Sequence, residues 1–269
     1  MSVSELELAS VDGRIDRTDE ATIALRDDGL YRGDGVFEVI RLYGGHPFAL
    51  AEHLERLERS AAAIDLATER DRIEPEIEAL LERVGDADGQ LRILLTRGGR
   101  RILLTEELPT HELTLSVATV TYAPSVILTG VKSLSYAANM QATRIARARG
   151  ADEAILVRPD RVVLEAPTSA IFWVSAEGPL RTPALSTGIL ESITRAQVVA
   201  ELHVEEGEFE LDDLLAAHEC FLASTTREVQ AVSSIDGREL TAPGPRTREA
   251  QAGFGRRLER ELGARAGRG

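Results

Sequence analysis

GVFEVIRL (35–42), YGG (43–45) and ALAEHLERLERSAAAIDL (49–66) follow one another near the start of the chain. The first is rich in β-branched and apolar residues and reads as a strand, and the second is a turn. The third places Leu54, Leu57, Ala61 and Ile64 at helical spacing. Strand, turn and helix in that order set an α/β (α+β) class. Downstream, a second helix is expected over about 71–84, then a Gly85-Asp-Ala-Asp-Gly89 turn and β-rich runs at 90–96 and 113–121. Residues 122–126 look like a linker between an N-terminal α/β lobe, 1–121, and a C-terminal lobe, 127–269. The second lobe opens with an expected strand around 126–133 and a helix over 137–148 that stops at Gly150. Next come a strand–turn–strand in EAILVRPDRVVLEA, the run IFWVS, a helix over 192–202 and strand character within 218–232. A helix over about 246–262 and a tail expected to fray complete the reading.

Composition excludes several classes. Hydrophobic residues are 43% and charged residues 28% of the 269, a balance that folds. No apolar run approaches the ~20 residues needed to span a bilayer, and MSVSELELASVDGR lacks the basic head and apolar core of a secretory signal. A cytoplasmic protein is therefore expected. A net charge of −14 opposes nucleic acid and anionic membranes. The lone cysteine, Cys220, can form neither an internal disulfide nor a cysteine-based metal cluster, and no metal is expected. It reads as a small buried hydrophobe, with Phe172 and Trp173 as core.

The basic residues say more. Of 31, thirty are arginine and one, Lys132, is lysine. A lysine kept amid such a bias suggests chemistry arginine cannot perform, a deprotonatable amine able to form a Schiff base; chance survival at the surface explains it equally well from composition alone. Glu165, within VVLEAPTSAIFWV, sits among apolar strand residues, where a carboxylate needs a cation or donor. A protonated pyridine nitrogen would serve, so the pair fits a pyridoxal 5′-phosphate (PLP) enzyme. GILESITR (188–195) reads as a turn feeding a helix N-terminus suited to phosphate, and Ser224-Thr225-Thr226 could add hydroxyls. Arg56, with His53 and Ser60, forms a polar stripe expected opposite the helix's apolar face.

In this order the segments resemble the class IV (fold type IV) PLP-dependent aminotransferases. The matching stretches are GDGVFEVIR (33–41), EHLERL (52–57), TRG (96–98), KSLS (132–135), ADEAILV (151–157), LEAPTSAIF (164–172), GILESITR and STTREV (224–229). The resemblance implies a small N-terminal α/β lobe and a larger barrel-like C-terminal lobe, in a homodimer with shared sites. It implies Lys132 as the Schiff-base lysine and Glu165 as the acid facing the pyridine nitrogen. Arg56 matches the phosphate-binding arginine, and Ile193 and Thr194 the phosphate-binding amides. Thr225 matches their hydroxyl partner, and Leu190 the apolar residue against the ring. His53 would support Arg56, and Tyr136 falls one position before the tyrosine that often contacts the phenolate.

Departures shape the specificity. Ala166 and Ala170 replace the family's frequent glycine and asparagine. Arg32 stands where branched-chain enzymes carry an aromatic ring, and TRGGRR replaces their glycine-rich loop, which argues against branched-chain substrates. Arg32, Arg92 and Arg100 are candidates for the substrate carboxylate; Arg227 could bind phosphate or substrate. The resulting expectation is an aminotransferase for small amino acids, above all D-amino acids, with a 2-oxo acid acceptor. The alternatives are 4-amino-4-deoxychorismate lyase, which uses the same machinery for elimination, and a catalytically silent PLP-binding protein.

Overall fold

The computed structural model describes residues 6–175 and 178–266. They divide into two compact units, one running up to Pro109 and including Val131–Tyr136, the other made of Thr110–Gly130 and the chain from Ala137 onward.

The first unit contains β1 (Leu8–Val11), β2 (Arg14–Arg17), α1 (Asp28–Arg32), β3 (Gly35–Tyr43), β4 (His46–Pro47), α2 (Leu50–Ala62), α3 (Arg70–Val84), β5 (Gly89–Thr96) and β6 (Arg101–Glu106). Its six strands form one antiparallel sheet in the order β2-β1-β6-β5-β3-β4. Alternate residues of β3 (Val36, Ile40 and Leu42) point with Leu91, Ile93 and Leu95 of β5 into a core closed by Leu54 and Leu57 of α2 and Ile73 and Ile77 of α3. Each such fully buried side chain contributes about 1.5–3 kcal/mol. Gly35 starts β3 because a Cβ there would lie 2.3 Å from the Leu95 carbonyl oxygen. β6 was not anticipated from the sequence: RILLTE follows a Gly-Gly-Arg turn and gains its partners, β5 and β1, only in the folded sheet.

The second unit contains β7 (Thr114–Thr121), a 3₁₀ turn (Val126–Leu128), α4 (Ala137–Ala148), β8 (Glu153–Val157), β9 (Ala170–Val174), β10 (Leu180–Pro183), a 3₁₀ turn (Leu185–Thr187), α5 (Ile193–Glu201), β11 (Val204–Gly207), α6 (Leu211–Leu215), β12 (Glu219–Ser224), β13 (Glu228–Ile235), β14 (Arg238–Glu239) and α7 (Pro245–Ala266). The strands follow the path β11-β10-β9-β12-β13-β7-β8, with β14 on β13, and the sheet curls as a half-barrel. β7 and β8 bury both faces. Leu115, Val117, Ile155 and Val157 face one core with Ile171, Trp173 and Leu222, while Ala118, Val120, Ala154 and Leu156 pack under Ala142 and Ala146 of α4. Parallel strands covered on both sides carry such continuous apolar runs.

Two expectations about the joint between the lobes are corrected. β7 is not part of the first lobe: it pairs in parallel with β8 and β13. Residues 126–133 are not a strand. Val126–Leu128 turn as a 3₁₀ helix, Gly130 takes φ +73°, and Ser133 makes an isolated bridge to Val36. Phe172, Trp173 and Cys220 are fully buried, and the Trp173 indole donates to Asp213. Burial pushes the Cys220 thiol pKa up. The rest of the tail beyond Ala266 lies outside the described residues. No helix among them is long and apolar enough to cross a membrane.

Candidate active site

In the first unit the site is built on α2. His53, Arg56 and Ser60 do not form a solvated stripe: all three are buried beside Leu54, Leu57 and Ala61. The reason is Glu38, a carboxylate on the core-facing side of β3. Its Oε1 accepts from Arg56 Nε at 2.7 Å, its Oε2 accepts from Arg56 Nη2 at 2.7 Å, and Oε2 lies 2.8 Å from His53 Nδ1. Burial opposes ionisation of Glu38, but the Arg56 charge and the hydrogen bonds from Arg56 and His53 outweigh it and hold its pKa down to about 2. Burial pushes the His53 pKa down, against the pull of Glu38. Glu38 lay unrecognised in the sequence. Its signal was the two-residue period that puts it on the same face as Val36, Ile40 and Leu42.

One turn beyond Arg56, Ser60 Oγ accepts the Lys132 amide at 3.2 Å. The Lys132 carbonyl accepts from Phe37 N–H at 3.0 Å, Ser133 bridges to Val36, and Leu134 N–H donates to Gly35 O at 2.9 Å. Lys132 is thus fastened to β3 on both sides, and its Nζ lies 4.4 Å from the Phe37 ring centroid, a cation–π distance. Tyr136 meets the same ring edge-on at 5.3 Å.

Phe37 and Val39 lie on the sheet face opposite the core. Val39 is paired with Arg92 of β5, and cross-strand partners project to one face, so Arg92 emerges on the face that carries the Lys132 amine. Its Nε binds Glu106 at 2.8 Å. Arg32, at the end of α1, is exposed and pairs with Asp28 at 3.2 Å, while Ser135 Oγ reaches its carbonyl. Arg100, in the β5–β6 turn, pairs with Asp12 at 2.6 Å. Arg92 shares a face with Lys132, Arg32 touches the Lys132 segment through its backbone, and Arg100 is engaged at β1's turn.

In the second unit Glu165 follows a stretch hydrogen-bonded to β8: Leu156 N–H donates to the Glu165 carbonyl, and Leu164 N–H to that of Leu156. Gly188, at φ +91°, turns the chain so that Leu190 N–H donates to Glu165 Oε1 at 3.0 Å. Burial and the Glu165 charge raise the pKa of Tyr122, a neighbour the sequence did not single out. Two residues past Leu190, Ser192 caps α5, its Oγ accepting Arg195 N–H at 3.2 Å while its carbonyl accepts Ala196 N–H. The amides of Ile193 and Thr194 fall among the first-turn donors that have no acceptor inside a helix. α5 packs against β12. Thr225 stands in the three-residue loop between Ser224 and Glu228, which are paired across β12 and β13. Arg227 in that loop is committed to protein acceptors, Glu153 Oε2 at 3.1 Å and Gln230 Oε1 at 2.6 Å. Burial, opposed by Glu153, lowers its pKa.

Comparison with known proteins follows the same segments. The family model for amino-transferase class IV matches residues 35–235. The chain is 34% identical over 264 residues to a D-alanine aminotransferase from Bacillus licheniformis, covering 89% of this chain and 93% of that protein. Among solved structures, a branched-chain aminotransferase from the thermophilic archaeon Thermoproteus uzoniensis, with norvaline, is 28% identical. It superposes with a TM-score of 0.83 over 91% of this chain and 93% of its own. A hypothetical aminotransferase from Mycobacterium tuberculosis, in PLP-bound form, has the same fold, with a TM-score of 0.83 at 23% identity over 92% and 98% of the two chains.

Proposed function

Because this chain belongs to the class IV aminotransferase family, we propose that it moves an amino group from a D-amino acid, such as D-alanine or D-glutamate, to a 2-oxo acid. The family's cofactor is PLP, and the chain is a PLP-dependent transaminase. What supports the D-specific reading is the 34% identity, over 89% of the chain, to a protein named D-alanine aminotransferase, a longer match than the 82% of the chain covered, at the same identity, by a putative branched-chain-amino-acid aminotransferase from Methanocaldococcus jannaschii.

The residues present fit the cofactor's chemistry. A dianionic phosphate suits the Ile193 and Thr194 amides at the start of α5, where the helix dipole adds to them, and Thr225 would add its hydroxyl; Arg56, in the first unit, is assigned to the phosphate by its match to the family's phosphate-binding arginine. Glu165, oriented by the Leu190 amide, would hold the proton at the pyridine nitrogen, and Leu190 would supply the apolar contact to the cofactor. When bound, the cofactor supplies an electron sink for the pair released at the substrate Cα. Lys132 would hold the cofactor through its Nζ amine and would move the proton at the substrate Cα. Arg92, with Arg32 and Arg100 as further candidates, binds the substrate carboxylate. The proposal includes a homodimer, for which the exposed Leu25, Leu30 and Tyr31 offer apolar surface.

The test mixes cofactor-loaded protein separately with D-alanine, D-glutamate, L-leucine and 4-amino-4-deoxychorismate while the visible spectrum is followed. Rapid bleaching by a D-amino acid, restored by pyruvate, is the expected result. Bleaching by L-leucine alone overturns the D-specific reading. Release of 4-aminobenzoate without an acceptor makes the protein the lyase.

A further inference from the structure

Glu38 is completely buried and has no part in the roles assigned above. It faces two side chains of α2, and both of its oxygens are used: Arg56 is gripped through Nε and Nη2, and His53 through Nδ1. A planar guanidinium held by two parallel bonds cannot rotate about its own axis or swing on its stem. An arginine side chain otherwise carries several rotatable bonds, and ordering them when an anion arrives weakens binding.

We propose that Glu38 is the positioning residue of the phosphate site: its fork fixes the plane of the Arg56 guanidinium, so that Arg56 meets the cofactor phosphate already oriented. The inference rests on the reading of Arg56 as a phosphate ligand. It makes a choice between two opposed effects. A carboxylate beside the arginine reduces the positive potential offered to phosphate, whereas the same carboxylate removes the disorder of the guanidinium. Orientation prevails here because both partners are buried, Arg56 5% and Glu38 0% exposed, so that the two-bond fork is not exchanged for water.

The test compares two ligands of the protein freed of cofactor: PLP, and pyridoxal, which lacks the phosphate. Binding is followed by the visible absorbance, and melting of the cofactor-free protein is recorded alongside. In Glu38→Gln, PLP should bind about tenfold to a hundredfold more weakly, while pyridoxal changes by less than about threefold. Glu38→Asp keeps the charge but falls one methylene short of the fork. It should show a smaller loss of the same selectivity, and it carries the test should Glu38→Gln not fold. Equal loss of both ligands would make Glu38 a purely structural ion-pair partner and overturn the proposal. So would unchanged or tighter PLP binding, the signature of charge competition. Arg56→Gln separates the premise from the inference. If it loses PLP no more than pyridoxal, Arg56 is not the phosphate ligand and the proposal falls with it. If it is phosphate-selective while neither Glu38 variant is, only the positioning role fails.

Discussion

The backbone amide of Leu190 and the carboxylate of Glu165 are joined by a 3.0 Å hydrogen bond. The residue assigned to pack on the cofactor ring therefore also orients the acid assigned to its nitrogen. A turn at Gly188 brings the two together across 25 residues of sequence, and the Glu165 backbone is itself tied to Leu156 of β8. The Leu190 amide fixes one oxygen of that carboxylate, and charge-assisted contacts of this kind contribute about 1.5–3 kcal/mol.

Glu165→Gln should keep PLP bound, because the amide can still hydrogen-bond, but it cannot balance a pyridinium charge. Turnover is expected to fall roughly tenfold to a hundredfold or more. Half-reaction rates with D-alanine measure it. Wild-type rates in this variant would remove Glu165 from the ring nitrogen.

Lys132→Ala should leave a folded protein that no longer shows the visible band and has no measurable transamination. With a single lysine in the chain, borohydride reduction of the loaded wild type should fix one cofactor mass to the peptide containing Lys132 and to no other. A reducible adduct surviving in the variant would mean that another amine carries the cofactor.

The three arginines should separate by substrate. Arg92→Ala is expected to lower kcat/KM for D-alanine by about thirtyfold to 150-fold, the equivalent of about 2–3 kcal/mol, with a much smaller effect on an aryl-alkyl amine lacking the carboxylate. Arg32→Ala and Arg100→Ala give up exposed or half-exposed ion pairs with Asp28 and Asp12, and such pairs stabilise by no more than about 1 kcal/mol. A carboxylate-selective loss in Arg32→Ala instead would transfer the clamp to α1.

Acid should unfold the first unit through its buried cluster. Glu38 is held at about 2 against an ordinary 4.5, so its contribution is complete above about pH 4.5 and disappears as pH falls toward 2. A shift of that size is on the order of 3 kcal/mol. His53 is also depressed. The folded state resists its protonation, and stability is lost below the ordinary histidine value of about 6.5. Melting temperatures should therefore drop between about pH 7 and 5, and His53→Gln should flatten that part of the curve. An unaltered slope in His53→Gln would mean that other groups set it.

Much of the site was readable because its chemistry is local. Lys132 stood out as one lysine among thirty arginines, and the cap of α5 was visible in Ser192. The helix at 137–148 followed from spacing and a terminal glycine. What stayed hidden depends on partners distant in sequence. β6 reads as a loop until β5 and β1 flank it, and β7 is assigned to its sheet by parallel neighbours over 30 and 100 residues away. Arg56 and His53 looked solvated because polar residues on a helix usually face water. Only the carboxylate of Glu38, on another element, lets that face turn inward.

α7, the 22-residue helix from Pro245 to Ala266, packs against α5, and its Arg256 and Arg260 pair with Glu201 at the end of α5. It comes after every other element of its unit in the chain. A ribosome therefore releases the helix assigned to the phosphate long before the helix that braces it. Until α7 emerges, the nascent α5 lacks the ion pairs that Arg256 and Arg260 make with Glu201.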